Sequence, residues 1–317
     1  MRTTIADIQK KKTKGERFAA ITAYDVVTAR LVDEAGIPLI LVGDSLGMVV
    51  LGYDSTIPVT LDDIIHHTRA VVRGSNKALV VADLPFMTYQ KSAEQALESA
   101  GRCLQEGGAQ AVKLEGGRAV AATVARLTSA GIPVMGHLGL TPQSIHQLGG
   151  FKAQGKDVAR AKELLDDALA LQEAGAFSIV LECVPTELSR LITERLSIPT
   201  VGIGAGPYCD AEIQVVSDSL GWFSDFVPKH AKQFAKLAEA ASDALRQYVE
   251  EVESGAFPTE KESVSVSEDV ICALKERDAL KEGAVLVEDD ALVEGAVLEE
   301  DDALEERGAL EEREEDR

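Results

Sequence analysis

The first part of the chain alternates between short apolar runs and longer segments that carry apolar residues at helical spacing. The short runs hold four to seven residues and are rich in Val, Ile and Leu, which is typical of parallel strands covered by helices on both faces. They begin at Phe18, Leu39, Ala78, Ala111, Pro133, Ser178 and Pro199, and a weak eighth run lies around Trp222 to Val227. The pattern predicts eight buried parallel strands.

Helices are predicted between these strands. Several of the helical segments end in Ala-Gly or Gly-Gly, where glycine can take the left-handed conformation that closes a helix. The clearest segments are Asp62 to Arg73, Ser92 to Glu106, Ala119 to Ala130, Asp157 to Ala174 and Thr186 to Leu196. Eight βα units in about 250 residues match the size of a TIM barrel. We therefore predict an α/β fold with a (β/α)8 catalytic barrel over residues 1–258, and an open doubly wound sheet is the alternative.

The last part of the chain has a different composition. By count, residues 1–258 hold 31 acidic and 25 basic residues, whereas residues 259–317 hold 22 and 7, so −6 and −15 add to the net charge of −21. From Asp278 onward the tail repeats with a twelve-residue period, and a glycine in a helix interior costs about 1 kcal/mol relative to alanine. Dense like charge and these glycines predict a mostly disordered acidic tail over 259–317, with an interaction segment as the alternative.

Composition excludes several classes of partner. Neither part of the chain offers a basic face for nucleic acid. The longest apolar stretch, Gly36 to Gly52, is interrupted by Asp44, and the N-terminus lacks a signal-peptide pattern, so no membrane association is expected. The cysteines have no metal-type spacing and are interpreted as reduced thiols of a cytoplasmic protein. They are Cys103, Cys183, Cys209 and Cys272.

Polar side chains end most of the predicted strands. They are Asp44, Asp83, Lys113, Glu115, His137 and Glu182, and Ser45 follows the first of them. The carboxyl ends of parallel strands meet at one edge of the sheet, where α/β folds keep their active sites. The placement predicts a ring of polar groups at that edge.

Asp44 and Asp83 end two neighbouring predicted strands and would bring two hard oxygen ligands together. Mg²⁺ favours such a pair and keeps waters or substrate oxygens in its remaining positions. Helix capping or a structural ion pair would explain either aspartate alone. The pair favours a Mg²⁺ site.

Lys113 and Glu115 alternate with apolar residues, so both are expected on the lumen side of their strand. A Lys–Glu ion pair that merely fills the mouth is the alternative to a ligand site. Glu182 follows an apolar run with no basic residue nearby in sequence, which favours a general base. His137 alone would be typical of a structural histidine.

Eight blocks of sequence closely resemble the ketopantoate hydroxymethyltransferase family, in order from about residue 3 to Pro258. They are Ile21-Thr-Ala-Tyr-Asp25, Val42-Gly-Asp-Ser-Leu-Gly-Met48, Asp54-Ser-Thr-Ile-Pro-Val-Thr60, Ala82-Asp-Leu-Pro-Phe-Met87, Val112-Lys-Leu-Glu-Gly-Gly117, Gly136-His-Leu-Gly-Leu-Thr-Pro-Gln-Ser144, Leu181-Glu-Cys-Val-Pro185 and Gly202-Ile-Gly-Ala-Gly206. These are long, near-literal blocks, so the resemblance is specific.

The resemblance implies a Mg²⁺-dependent (β/α)8 enzyme of pantothenate biosynthesis. Such an enzyme transfers a one-carbon unit from 5,10-methylenetetrahydrofolate to 3-methyl-2-oxobutanoate and gives 2-dehydropantoate. Its partners would be these small molecules and further copies of itself in a homo-oligomer, often a decamer.

The resemblance also implies a role for each site residue. Asp44 and Asp83 would bind the metal beside the substrate, with Glu115 close to the metal. Ser45 and Lys113 would hold the carboxylate and keto oxygens of the oxo acid. Glu182 would be the base, and His137 would line the substrate site.

Two rival functions remain from the sequence. The first is a carbon–carbon lyase or phosphonomutase on a related barrel, although no comparable loop cysteine motif is present. The second is a scaffold protein with an inert barrel and a recruiting acidic tail, against which the intact polar ring argues.

Overall fold

The computed structural model describes residues 1–150, 153–222 and 227–289. The chain divides into two compact units, Met1–Ala244 and Leu245–Arg317. The first unit contains the barrel. The second is described separately below.

The first unit is a closed barrel of eight parallel strands in sequence order. Each strand pairs with the next, and β1 pairs with β8 to close the ring. The strands are β1 Phe18–Thr22, β2 Leu39–Val42, β3 Leu79–Asp83, β4 Ala111–Lys113, β5 Val134–Gly139, β6 Ser178–Glu182, β7 Thr200–Ile203 and β8 Ala211–Gln214. The predicted (β/α)8 barrel is confirmed.

Helices follow every strand except β7, which leads directly to β8. In the described residues they are α1 Ile5–Lys14, α2 Val26–Glu34, α3 Leu46–Val49, α4 Leu61–Gly74, α5 Ala93–Gln105, α6 Arg118–Ser129, α7 Ile145–Leu148, α8 Val158–Glu173, α9 Thr186–Arg195, α10 Val216–Leu220, α11 Leu237–Ser254 and α12 Glu268–Asp289. Local signals set their ends: Thr60 and Asp63 form a reciprocal capping box that begins α4. Within the described ranges, no helix combines the length and the apolar character needed to cross a membrane.

The hydrophobic core has two layers because the strands alternate their side chains. One set of buried residues packs between the barrel and its helices, and a second set fills the barrel interior. Ile8 of α1 belongs to the interior set together with Phe18, Leu39 and Leu79, which begin β1, β2 and β3. Helix α1 therefore closes the amino-terminal end of the barrel, and polar groups collect at the opposite end.

The eighth strand lies at Ala211–Gln214, so its predicted position around Trp222 to Val227 is wrong. In β8, buried Ala211 and Ile213 alternate with partly exposed Glu212 and Gln214. One face of β8 is less buried than the other, so the strand has no continuous apolar run. The run that predicted the other strands was therefore missing here. The predicted position falls partly on residues 223–226, which lie outside the described residues.

The second unit contains helix α12, Glu268–Asp289, and the predicted disorder of the acidic tail over 259–317 stays a prediction. The carbonyl of Ser267 accepts hydrogen bonds from the amides of Val270 and Ile271 at the first turn. Two acidic residues at the helix start, Glu268 and Asp269, suit the positive end of the helix dipole. The remainder of the predicted tail, residues 290–317, lies outside the described residues.

Candidate active site at the carboxyl end of the barrel

The polar residues predicted at the strand ends lie together at the carboxyl end of the barrel. Asp83, Lys113 and Glu182 are the last residues of β3, β4 and β6, and His137 lies within β5. Asp44 and Glu115 each follow a strand by two residues. Asp44, Asp83, Lys113, Glu115 and His137 are at most 5% exposed. We call these five residues with Glu182 the acid cluster.

Lys113 is bound chiefly to Asp83. Its Nζ lies 2.9 Å from both carboxylate oxygens of Asp83 and 3.7 Å from Glu115 Oε1. The backbone amide of Asp44 also donates to Asp83 Oδ2 at 3.1 Å. Lys113 and Glu115 therefore lie on the same side of their strand, as expected. The main partner of Lys113 is Asp83, so the contact is more than a Lys–Glu ion pair.

The charges of the acid cluster do not balance. Burial, reinforced by neighbouring Asp83, raises the pKa of Asp44 well above its usual value. Burial also raises the pKa of Asp83 although Lys113 opposes this. The pKa of Lys113 is raised too, because Asp83, Glu115 and Asp44 outweigh the effect of burial, so the lysine stays charged. The site therefore favours an additional positive charge.

His137 lies between two carboxylates. Its Nδ1 is 3.3 Å from Glu115 Oε1 and its Nε2 is 3.3 Å from Glu182 Oε2. Neither contact has the alignment of a hydrogen bond in the described residues. Burial and Lys113 lower the pKa of His137, but the two glutamates outweigh them and raise it to about 9. A protonated His137 orients both glutamates and is a poor base.

Glu182 is the most accessible carboxylate of the acid cluster. Its side chain is 16% exposed, against 3% for Glu115 and 1% for Asp83. A group that removes a proton from a substrate must reach the open mouth. The geometry therefore favours Glu182 over His137 for that role.

Gln143 organises the acid cluster and was missed by the sequence analysis. Its Nε2 donates to Asp44 Oδ2 and to the carbonyl of Leu84, each at 2.9 Å. Its backbone amide donates to Glu115 Oε2 at 3.1 Å, and Tyr89 Oη donates to its Oε1 at 2.8 Å. Gln143 lies in a short 3-10 turn after β5 and is 4% exposed. In the sequence, only the turn motif Thr-Pro-Gln could have pointed to Gln143.

Tyr24 fixes the position of Ser45. No role was predicted for Tyr24 from the sequence. The Tyr24 hydroxyl, which is buried after β1, lies 2.8 Å from Ser45 Oγ. Burial raises the pKa of Tyr24, so the phenol stays protonated and available as a donor. Ser45 therefore has a fixed position beside Asp44.

A divalent cation fits this donor set. In the parts of the chain that the structure describes, no group of three or more His, Cys, Asp or Glu side chains could hold a metal ion by itself. Mg²⁺ commonly binds through one or two carboxylates and takes its other ligands from waters or substrate. Asp44 and Asp83 supply such a pair, and Glu115 Oε1 is buried nearby without a hydrogen-bond partner.

Sequence comparison identifies the family. The family model described as ketopantoate hydroxymethyltransferase matches residues 2–260. The chain belongs to the ketopantoate hydroxymethyltransferase family. This confirms the resemblance found in the sequence and the prediction of a transferase.

Curated relatives in this family are similar over most of their length. The 3-methyl-2-oxobutanoate hydroxymethyltransferase of Chloroflexus aurantiacus is 60% identical over 283 residues, which cover 89% of this chain and 100% of the relative. The enzyme of the same name from Dehalococcoides mccartyi is 59% identical over 276 residues, covering 87% and 99%. These matches are longer than 258 residues, so similarity extends into the predicted tail. The predicted domain boundary at Pro258 stays a prediction.

Solved structures share the barrel fold at low identity. A phosphonopyruvate hydrolase in complex with oxalate and Mg²⁺ has a TM-score of 0.54 at 15% identity, covering 88% of this chain and 97% of that one. A 2,3-dimethylmalate lyase has a TM-score of 0.52 at 18% identity, covering 90% and 99%. At these identities the likeness shows the fold alone.

Proposed function

We propose that the acid cluster transfers a hydroxymethyl group from 5,10-methylenetetrahydrofolate to 3-methyl-2-oxobutanoate, giving 2-dehydropantoate and tetrahydrofolate in pantothenate biosynthesis. One water is consumed, and its oxygen becomes the new hydroxyl group. The observation that carries the proposal is the Asp83–Lys113 pair beside Asp44, with the accessible Glu182 on the same mouth. Family membership supports the same reaction.

In the first half of the reaction, residues of this chain bind the oxo acid and remove its C3 proton. Ser45 and Lys113 hold the carboxylate and keto oxygens of the oxo acid. Glu182 removes the proton from C3, a weakly acidic tertiary carbon, and Lys113 places its charge beside the oxygen that becomes negative. His137 holds Glu182 from one side. The carbon nucleophile formed in this way then takes up the one-carbon unit.

Asp44 and Asp83 would hold Mg²⁺, with Glu115 beside them. The ion supplies Lewis-acid stabilisation of the negative charge that develops on the keto oxygen. The negative excess of the acid cluster supports this assignment. The magnesium and oxalate bound by the phosphonopyruvate hydrolase are consistent with it.

A turnover assay tests the proposal. The purified protein is incubated with 3-methyl-2-oxobutanoate and methylenetetrahydrofolate, with Mg²⁺ or with a chelator, and 2-dehydropantoate is quantified. We expect product only when both substrates and the metal are present. Absence of product would favour the scaffold alternative, whereas cleavage of an oxo acid without folate would favour a lyase.

Cys183 does not support a lyase with a reactive cysteine. It directly follows Glu182, and burial with the nearby Glu182 charge raises the pKa of its thiol to about 11. The thiolate is the nucleophilic form of cysteine. Cys183 therefore stays a neutral thiol near pH 7.

Gln143→Leu is predicted to weaken the metal site without removing a proposed metal ligand. The variant loses the donor to Asp44 and the acceptor of Tyr89 but keeps the backbone amide to Glu115. Loss of such an outer contact costs about 10-fold to 100-fold in metal affinity or activity. Titration of turnover with Mg²⁺ measures the effect, and Gln143→Glu, which keeps the length, is the companion variant. An unchanged Mg²⁺ requirement in both would contradict the role.

Deletion of residues 290–317 is predicted to leave turnover unchanged. The family model ends at residue 260, and the Chloroflexus relative is fully covered by 283 matched residues. The deleted segment carries 13 acidic and 3 basic residues by count, so the truncated protein should be less retained on an anion exchanger. Steady-state rate and thermal midpoint are the measurements. A loss of activity would assign the segment to the catalytic unit.

Oligomeric state, cytoplasmic location and the absence of nucleic-acid or membrane partners stay predictions. The described cysteines are all free thiols, which agrees with their interpretation from sequence. Light scattering of the purified protein would test for the homo-oligomer, up to a decamer.

A further inference from the structure

A cleft of about 350 Å³ opens beside the acid cluster. One wall is backbone and side chain from the ends of β4 and β5 and the turn after β5, and the other wall is the first half of α8. Its lining includes Gly116, Gly139, Ser144, Gln147, Arg160 and Leu164. Its volume lies in the range of small-molecule sites, roughly 300 to 1,000 Å³.

The cleft and the acid cluster share backbone. Gly116 directly follows Glu115, and its amide donates to the carbonyl of His137 at 3.1 Å. Gly139 is the register partner of Glu182 between β5 and β6. A molecule in the cleft would therefore lie against the strand ends that carry the proposed base.

The turn after β5 faces both sites. Gln143 directs its amide to Asp44 and Leu84 within the acid cluster, whereas its neighbours Ser144 and Gln147 line the cleft. A ligand held by Ser144 is thus one residue from Gln143, which fixes the proposed metal ligand Asp44. This is the arrangement that a second substrate of the same reaction requires.

We propose that this cleft binds the reduced folate, with the pterin ring towards the strand ends and the glutamate end at Arg160. This inference rests on the proposed function. Ser144 and Gln147 both donate and accept hydrogen bonds, as the amide edge of a pterin requires. The partly exposed Leu148 and Leu164 supply apolar surface for the flat ring.

Arg160 is suited to the carboxylates of the folate tail. Among the described residues that line the cleft it is the one cation, and the two lining carboxylates, Glu163 and Asp167, are each paired with an arginine, Arg160 and Arg118. Arg160 Nη1 donates to Glu163 at 2.6 Å, and a guanidinium has five N–H donors, so donors remain for a carboxylate. The side chain is 67% exposed and lies at the rim, where a flexible tail would leave the cleft.

Two variants of the full-length protein test the inference. For Gln147→Ala we expect the Kd of tetrahydrofolate and the KM of methylenetetrahydrofolate to rise about tenfold, the order of one lost hydrogen bond. For Arg160→Ala we expect a similar rise for tetrahydrofolate but unchanged binding of 6-methyltetrahydropterin, which lacks the glutamate tail. Binding is measured by calorimetry under anaerobic conditions.

Hydrogen exchange at C3 of the oxo acid alone separates this inference from the proposed function, because that half-reaction needs no folate. We expect both variants to exchange within about twofold of the unsubstituted protein. The matched control is Arg190→Ala, which removes an exposed arginine paired with Glu194 on its own helix α9 and is expected to change neither parameter. Normal exchange with unchanged folate binding in both variants would overturn the cleft assignment. Absence of C3 exchange in the unsubstituted protein would instead overturn the proposed function.

Discussion

Glu182→Gln is expected to slow hydrogen exchange at C3 of 3-methyl-2-oxobutanoate by about 10²-fold to 10⁴-fold, the range for loss of a general base. The amide has nearly the shape of the carboxylate but cannot accept the proton. Asp44, Asp83 and Lys113 are untouched, so binding of Mg²⁺ and of the oxo acid should persist. Exchange is followed in deuterated buffer without folate, which isolates the proton transfer from the later carbon–carbon bond formation.

The control for this variant is Glu194→Gln. Glu194 is an exposed glutamate on α9 that pairs with Arg190 outside the barrel mouth. Its substitution should leave exchange unchanged. If Glu182→Gln itself exchanged at a near-normal rate, the base would have to be another group. His137 is the neighbouring titratable group, but its position between two glutamates and its raised pKa disfavour it as the base.

The sequence predicted the acid cluster because a parallel barrel buries both faces of its strands. Asp83, Lys113 and Glu182 each end a strand whose other residues are buried, so they stand out against their apolar runs. Their joint position follows from the barrel topology, because all carboxyl ends open on one side. The residues with the strongest local contrast were thus the ones correctly placed together.

Contacts from loops could not be predicted in this way. Gln143 and Tyr89 come from irregular segments, where no periodicity indicates which side chain turns inward. The position of strand β8 was predicted wrongly because Glu212 and Gln214 interrupt its apolar positions. In α12 a run of good helix formers accommodates one glycine.

Asp44→Asn and Asp83→Asn are expected to lower the affinity for Mg²⁺ by more than the 10-fold to 100-fold typical of an outer contact. Turnover should fall with it and recover in part at high Mg²⁺. Their effects on the apoprotein should differ. Asp83 accepts both hydrogen bonds from buried Lys113, and removing one partner of a buried pair costs about 3–5 kcal/mol. Asp44 has no basic partner at hydrogen-bond distance in the described residues, so Asp44→Asn should leave the fold nearly as stable.

Thermal unfolding with and without Mg²⁺ separates the two effects. The unsubstituted protein should gain stability when Mg²⁺ is added, because the ion binds the folded state. Both variants should lose most of that gain, and only Asp83→Asn should also unfold at a lower temperature without the metal. Asp62→Asn, at an 80% exposed position on α4, should behave as the unsubstituted protein. If Asp44→Asn and Asp83→Asn kept the full Mg²⁺-dependent gain and normal Mg²⁺ titration curves, these two carboxylates would be structural charges and the metal would have to bind elsewhere.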